Sequence, residues 1–193
     1  MRRRLFGPVG PVATIVLAVG ACTAPRQDVI TRSYLAPTYG PTTLSAARKY
    51  DATPVDIAGN PFPVPDNLVK EHVVEAVNGA GAVGNQRFAA EGTDPRNPYR
   101  LVVLFQPSTT IGHPRVCRGA RTQAEDPGPG VEMMLTYCLG KKALSSLRAR
   151  QSGFDGPDDP AFRRFLRNAM SALFPPRNEI RRNGGRDGNN GFF

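Results

Sequence analysis

The segment that most limits the architecture is Leu101-Val102-Val103-Leu104-Phe105, five consecutive apolar residues bounded by turn formers. A strand alternates its side chains between two faces, so an unbroken apolar run predicts a central strand covered on both sides. Such a strand needs partners, and the chain offers several. Val131, Met133, Leu135 and Tyr137 alternate with Glu132, Met134, Thr136 and Cys138, which predicts a strand with Cys138 turned away from the Met133 and Leu135 face. Further strands are predicted at Thr53–Ile57, where Pro54 suits a sheet edge or a strand start, at 87–90, and from Leu144 to Arg150.

Two helices are legible as covers. Val69, Val73, Ala76 and Val77 share one helical face, with Asp66 as the expected cap and Gly79 as the stop. The stronger signal lies between Asp159-Pro160 and Pro175-Pro176. There Phe162, Phe165, Leu166, Ala169, Met170, Leu173 and Phe174 repeat without a gap at i, i+3, i+4, while Arg163, Arg164, Arg167 and Asn168 take the other side. Such a face covers a sheet; aromatic and aliphatic residues opposite arginines would also suit a helix lying on a membrane surface. The expected fold is α+β, an antiparallel sheet of four or five strands packed by two amphipathic helices.

The N-terminus is of another kind. Arg2, Arg3 and Arg4 precede an apolar run from Val12 to Ala21 that ends in Val19-Gly20-Ala21 before Cys22. This run is about half the roughly 20 apolar residues needed to span a bilayer. The segment resembles the signal and lipobox of a bacterial lipoprotein. The resemblance implies that residues 1–21 are a signal peptide and that Cys22 carries lipid, which places the protein in the cell membrane or outer membrane facing the periplasm. It covers this segment alone. Residues 22–43, with Ala24-Pro25, Ala36-Pro37 and Gly40-Pro41, read as a flexible tether whose candidate docking residues are Tyr34, Leu35 and Tyr39. Residues 44–176 are then one domain, and 177–193, rich in Arg, Asn and Gly, a disordered basic tail.

With Cys22 assigned to lipid, Cys117 and Cys138 remain as an even pair in an oxidising compartment, the condition for a disulfide. Closing that loop is worth about 3 kcal/mol on the chain-entropy account. The competing arrangement is a catalytic or redox thiol at Cys117 with His113 four residues before it. Charge is uneven as well. From Cys22 to Pro114 the chain has 8 cationic and 8 anionic side chains; from Arg115 to Phe193 it has 14 and 8. In an exported protein this basic half has no nucleic acid to meet, which leaves anionic lipid, cell-wall polymer or an envelope protein as partners.

Motifs for chemistry are sparse. Gly79-Ala80-Gly81-Ala82-Val83-Gly84 spells G-x-G-x-x-G, but it closes a helix instead of opening one, so carbonyl groups would face a phosphate. His72 and Glu75 share a helix face at i, i+3, yet Ala76 stands where an H-x-x-E-H metallopeptidase needs its second histidine. No residue is nominated as catalytic, metal-binding or cofactor-binding. His113, His72 and Glu75 remain as a possible polar site, and Arg163, Arg164 and Arg167 as a basic surface. The expected function is a lipid-anchored envelope protein that binds or scaffolds. The alternatives are an envelope hydrolase or cell-wall-modifying enzyme, or a carrier of an apolar ligand.

Overall fold

A computed structural model describes residues 28–125 and 128–176. The expected signal segment, Cys22 and the predicted basic tail lie outside the described residues. In chain order the elements are β1 (Val29–Leu35), α1 (Pro41–Ala47), β2 (Thr53–Ala58), α2 (Asp66–Asn78), β3 (Phe88–Ala89), β4 (Tyr99–Phe105), α3 (His113–Cys117), β5 (Val131–Leu139), β6 (Lys142–Gln151) and α4 (Pro160–Leu173), with a 3-10 turn at Gly81–Val83.

The α+β class and the disulfide are as expected, but the sheet has six strands and is mixed. Its order is β1-β6-β5-β4-β2-β3. The first four strands pair antiparallel, whereas β2 runs parallel to both β4 and β3. The reason lies in the connection: α2 stands between β2 and β4, and a helical crossover returns the chain to the same end of the sheet. A second correction concerns the N-terminal stretch read as tether. Val29–Leu35 is an edge strand paired along β6, from Val29 opposite Arg150 to Leu35 opposite Ser145, and Leu35 and Tyr39 are buried.

The two faces of the sheet are closed differently. On one, Leu101, Val103 and Phe105 of β4 join Met133, Leu135 and Tyr137 of β5 and Leu147 of β6 in a core with Val69, Val73 and Val77 of α2 and the apolar side of α4. Phe162 of α4 is fully buried and packs edge-on against Phe62 and Phe154. Burial of such a side chain contributes about 1.5–3 kcal/mol. Asp159 caps α4 as the sequence predicts, accepting from the Ala161 N–H at 2.7 Å, and Ser145 of β6 donates to the Leu173 carbonyl at the other end. Asp66 does not cap α2: its carboxylate accepts from Asn60 instead, and Pro65 holds the cap position.

Val102, Leu104, Met134 and Cys138 point to the opposite face, under Ile111, Val116 and Cys117. The cover is the segment 107–125, in which α3 is the only helix. Cys117 and Cys138 are bonded, tying α3 to β5. Arginines add further attachments. Arg148 of β6 donates to the Ser108 and Ile111 carbonyls and pairs with Glu132. Arg100 of β4 donates to the Cys117 carbonyl. Arg121 donates to the Val116 and Ala120 carbonyls and pairs with Asp56 of β2.

Candidate functional site: a basic groove and a basic helix face

The polar residues singled out by sequence are not brought together. On α2, His72 Nδ1 lies 3.7 Å from Glu75 Oε2, and the Glu75 side chain is 63% exposed. His113 starts α3 on the other side of the sheet, its ring stacked on Tyr34 of β1 at 4.0 Å between centroids. Partial burial pushes the His113 imidazole below its usual value. Among the described residues no group of three His, Cys, Asp or Glu side chains is placed to hold a metal ion. The disulfide leaves no thiol beside His113 to act as a nucleophile. The glycine motif spans the end of α2 and the 3-10 turn, the carbonyl end of the helix, as its sequence context implies.

A groove of about 740 Å³ opens where β2 meets the edge of the 107–125 cover. Pro54, Val55, Asp56 and Ile57 of β2 lie along it, with Tyr99 and Arg100 at the start of β4. Lys70 comes from α2, Arg118 from just past α3, and Lys141 from the loop between β5 and β6. Local geometry fixes this last group. Leu139 pairs with Lys142, so the loop is Gly140-Lys141, and Gly140 has φ 56°, the positive value that the first position of a II′ hairpin requires. Lys141 therefore stands at the groove's rim.

The groove is electropositive. Lys70, Arg100, Arg118 and Lys141 face two carboxylates, Asp56 and Glu91, and Asp56 is already engaged by Arg121. Among the described residues none of these four cations is ion-paired with a carboxylate. The Arg100 Nε–H is buried and has no hydrogen-bond partner among the described residues. Sequence reading missed this site, because its cations sit on separate elements far apart in the chain. One signal was present: Arg100 shares strand parity with Val102 and Leu104, which marks it as a charge at the margin of a buried face.

The predicted basic surface is formed on α4. Arg164, Arg167 and Asn168 are exposed and Arg163 is partly so, while Phe162, Phe165 and Leu166 are buried. This face lies beside the N-terminal strand. Asn168 donates to the Asp28 carboxylate at 3.0 Å, and Arg32 of β1 donates to the Ala172 carbonyl.

Fold and site together define an α+β domain with a six-stranded mixed sheet, one face locked by a disulfide-bonded cover and one edge opening into a cationic groove. No protein-family description matches the chain, and no curated protein does. Among solved structures the chain is similar to the PelC dodecamer from Paraburkholderia phytofirmans, at 10% identity and a TM-score of 0.38, over 78% of this chain and 96% of that one. A single-substitution variant of PelC from the same organism gives 11% identity and a TM-score of 0.40, over 77% and 98%. Likeness at that level carries no argument about activity or partners.

Proposed function

We propose that this is a lipid-anchored cell-envelope protein with a binding or scaffolding role, attached through Cys22 and presenting the basic face of α4 to an anionic surface. The observation that carries this reading is the hydrogen bond between Asn168 and Asp28, which ties the start of the folded domain to α4. Asp28 is six residues after Cys22, a reach of at most about 20 Å even fully extended. A lipid on Cys22 thus holds Asp28 and the adjoining Asn168 within about 20 Å of the bilayer, which lets Arg163, Arg164 and Arg167 reach it. Each arginine near an anionic leaflet contributes about 1 kcal/mol, an attraction that fades within a Debye length of about 8 Å at physiological salt. The Cys117–Cys138 bond supports an oxidising compartment.

The groove favours binding over catalysis. It is open, not an enclosed apolar cavity, and guanidinium and ammonium groups dominate its charged lining. Such groups hold anions.

The anchor is tested by replacing Cys22 with Ala, which should abolish lipid attachment and move the protein from the membrane to the soluble fraction. The basic face is tested with unlipidated protein on phosphatidylglycerol and phosphatidylcholine vesicles. Retention should be confined to the anionic vesicles, fall with added salt, and be lost when Arg163, Arg164 and Arg167 are changed to Glu. Equal retention on neutral vesicles, or none at low salt, overturns the surface-binding part of the reading.

A further inference from the structure

The two ends of the sheet are finished unequally. At one end β1 pairs with β6 along nearly its whole length. At the other, β3 is two residues long and matches only Thr53 and Pro54 of β2. Asn78 at the end of α2 fixes this short strand in place: its side chain accepts from the Phe88 N–H and donates to the Phe88 carbonyl. Among the described residues Val55–Ala58 is hydrogen-bonded inward, to Leu101–Leu104, and no strand lies along its outer side beyond the pairing of Pro54 with Ala89. Main-chain groups alternate between the two sides of a strand, and the Thr53 N–H points outward, to the Arg87 carbonyl; Val55 and Ile57 share that direction, and with the Val55 N–H taken up by the pairing with β3, the Val55 carbonyl and both main-chain groups of Ile57 are left facing outward.

Exposed edges are ordinarily blunted by a charge, a bulge or a covering loop. Here Val55, Asp56 and Ile57 instead form part of the groove lining, and the charge on the edge, Asp56, is neutralised by Arg121. The surrounding cations come from four separate segments, Lys70 in α2, Arg100 in β4, Arg118 after α3 and Lys141 between β5 and β6, and together they line the groove beside this edge. We propose that Val55–Ala58 is a strand-addition site that captures an extended acidic segment of a partner protein, with Lys70, Arg100, Arg118 and Lys141 meeting its carboxylates. Main-chain pairing supplies a register and the flanking cations supply selectivity, the division of labour usual for strand addition. Four residues of strand span about 13 Å, and the groove volume falls within the roughly 300–1,000 Å³ typical of binding clefts.

Charge argues against this chain's own ends as the occupant. Residues 177–193 contain Arg177, Arg181, Arg182 and Arg186 against Glu179 and Asp187. The site deepens the binding role proposed above and rests on that reading for its direction: three strands separate β2 from β1, so the groove lies about 19 Å across the sheet from the edge where the chain enters from Cys22.

The test uses the purified, disulfide-bonded protein and synthetic octapeptides in solution, where neither lipid nor vesicle takes part, so it can fail independently of the anchoring experiments. A peptide alternating Glu and Val should bind, weaken with salt, and protect the outward-facing Ile57 amide from hydrogen exchange. Its Lys-Val counterpart, and a Glu-Val peptide N-methylated at alternate main-chain amides, should each bind about tenfold more weakly or worse. Arg118→Glu combined with Lys141→Glu, both exposed positions, should weaken the Glu-Val peptide by a similar factor while leaving the thermal unfolding midpoint in place. The proposal is overturned if the N-methylated peptide binds equally well, if no peptide binds up to about 1 mM, or if inorganic phosphate displaces the peptide completely at low millimolar concentration. Self-association lost in the Arg118 and Lys141 variant, without peptide binding, would assign the edge to a second copy of this chain and likewise overturn it.

Discussion

The two faces of the sheet bury comparable strands under unlike covers. Toward α2 and α4 the closure is made by volume: Phe162, Phe165, Leu166 and Leu173 interleave with Val103, Leu135 and Leu147 over a wide contact. Toward 107–125 it is made by points: one disulfide, the three carbonyl-directed arginines Arg100, Arg121 and Arg148, and a small apolar cluster around Val116. A volume closure spreads any loss through packed neighbours. A point closure concentrates it, so that one attachment can fail while the sheet beneath stays intact.

The contrast is broken most directly at its strong side. Phe162→Ala leaves a cavity at the junction of α4, Phe62 and Phe154 and should cost about 3–5 kcal/mol in denaturant unfolding, with the whole molecule destabilised together. The Cys117→Ser, Cys138→Ser pair should cost about 3 kcal/mol but be felt locally: hydrogen exchange should accelerate across 107–125 well before it does in α4. Equal acceleration in both would show that the faces unfold as one unit. The smallest effect belongs to His113. Its folded pKa is lowered by burial, so the unfolded chain takes up the proton first as pH falls. The stability it lends is complete above the ordinary imidazole value of 6.5 and is lost as pH drops from there through the lower folded value. The protection of 107–125, after allowance for the intrinsic slowing of exchange at lower pH, should therefore fall modestly as pH drops below the ordinary imidazole value, and His113→Phe should flatten that response.

The volume-closed face was the legible one. The gapless apolar series from Phe162 to Phe174, the Asp159 cap and the two-faced Leu101–Phe105 run each state their surroundings through periodicity alone. The disulfide was legible too, by counting cysteines. Strand partners were not, because pairing is set by how the connections run. The β2-α2-β4 crossover makes a parallel pair from segments whose own sequences are silent about direction. β1 was hidden for a different reason: Thr31, Arg32 and Ser33 are exposed, as an edge strand permits, and its Pro- and Gly-rich neighbours suggest coil. The groove depended on both failures. Without the parallel β2 and its two-residue neighbour there is no open edge, and the cations around it have no reason to be grouped.

The pairing of β1 with β6 also sets an order of assembly. Val29 meets Arg150, so among the described residues the first strand to emerge from the ribosome is completed by the last one made. The β5 and β6 hairpin can close locally across its two-residue loop, and β4 can join it early, but β1 must wait through nearly the entire chain before its partner exists. Closing so long a loop is among the slower steps available to a domain of this size. That span predicts that β1 pairs late, an order that would show in refolding as protection of the Val29–Leu35 amides after those of β4, β5 and β6.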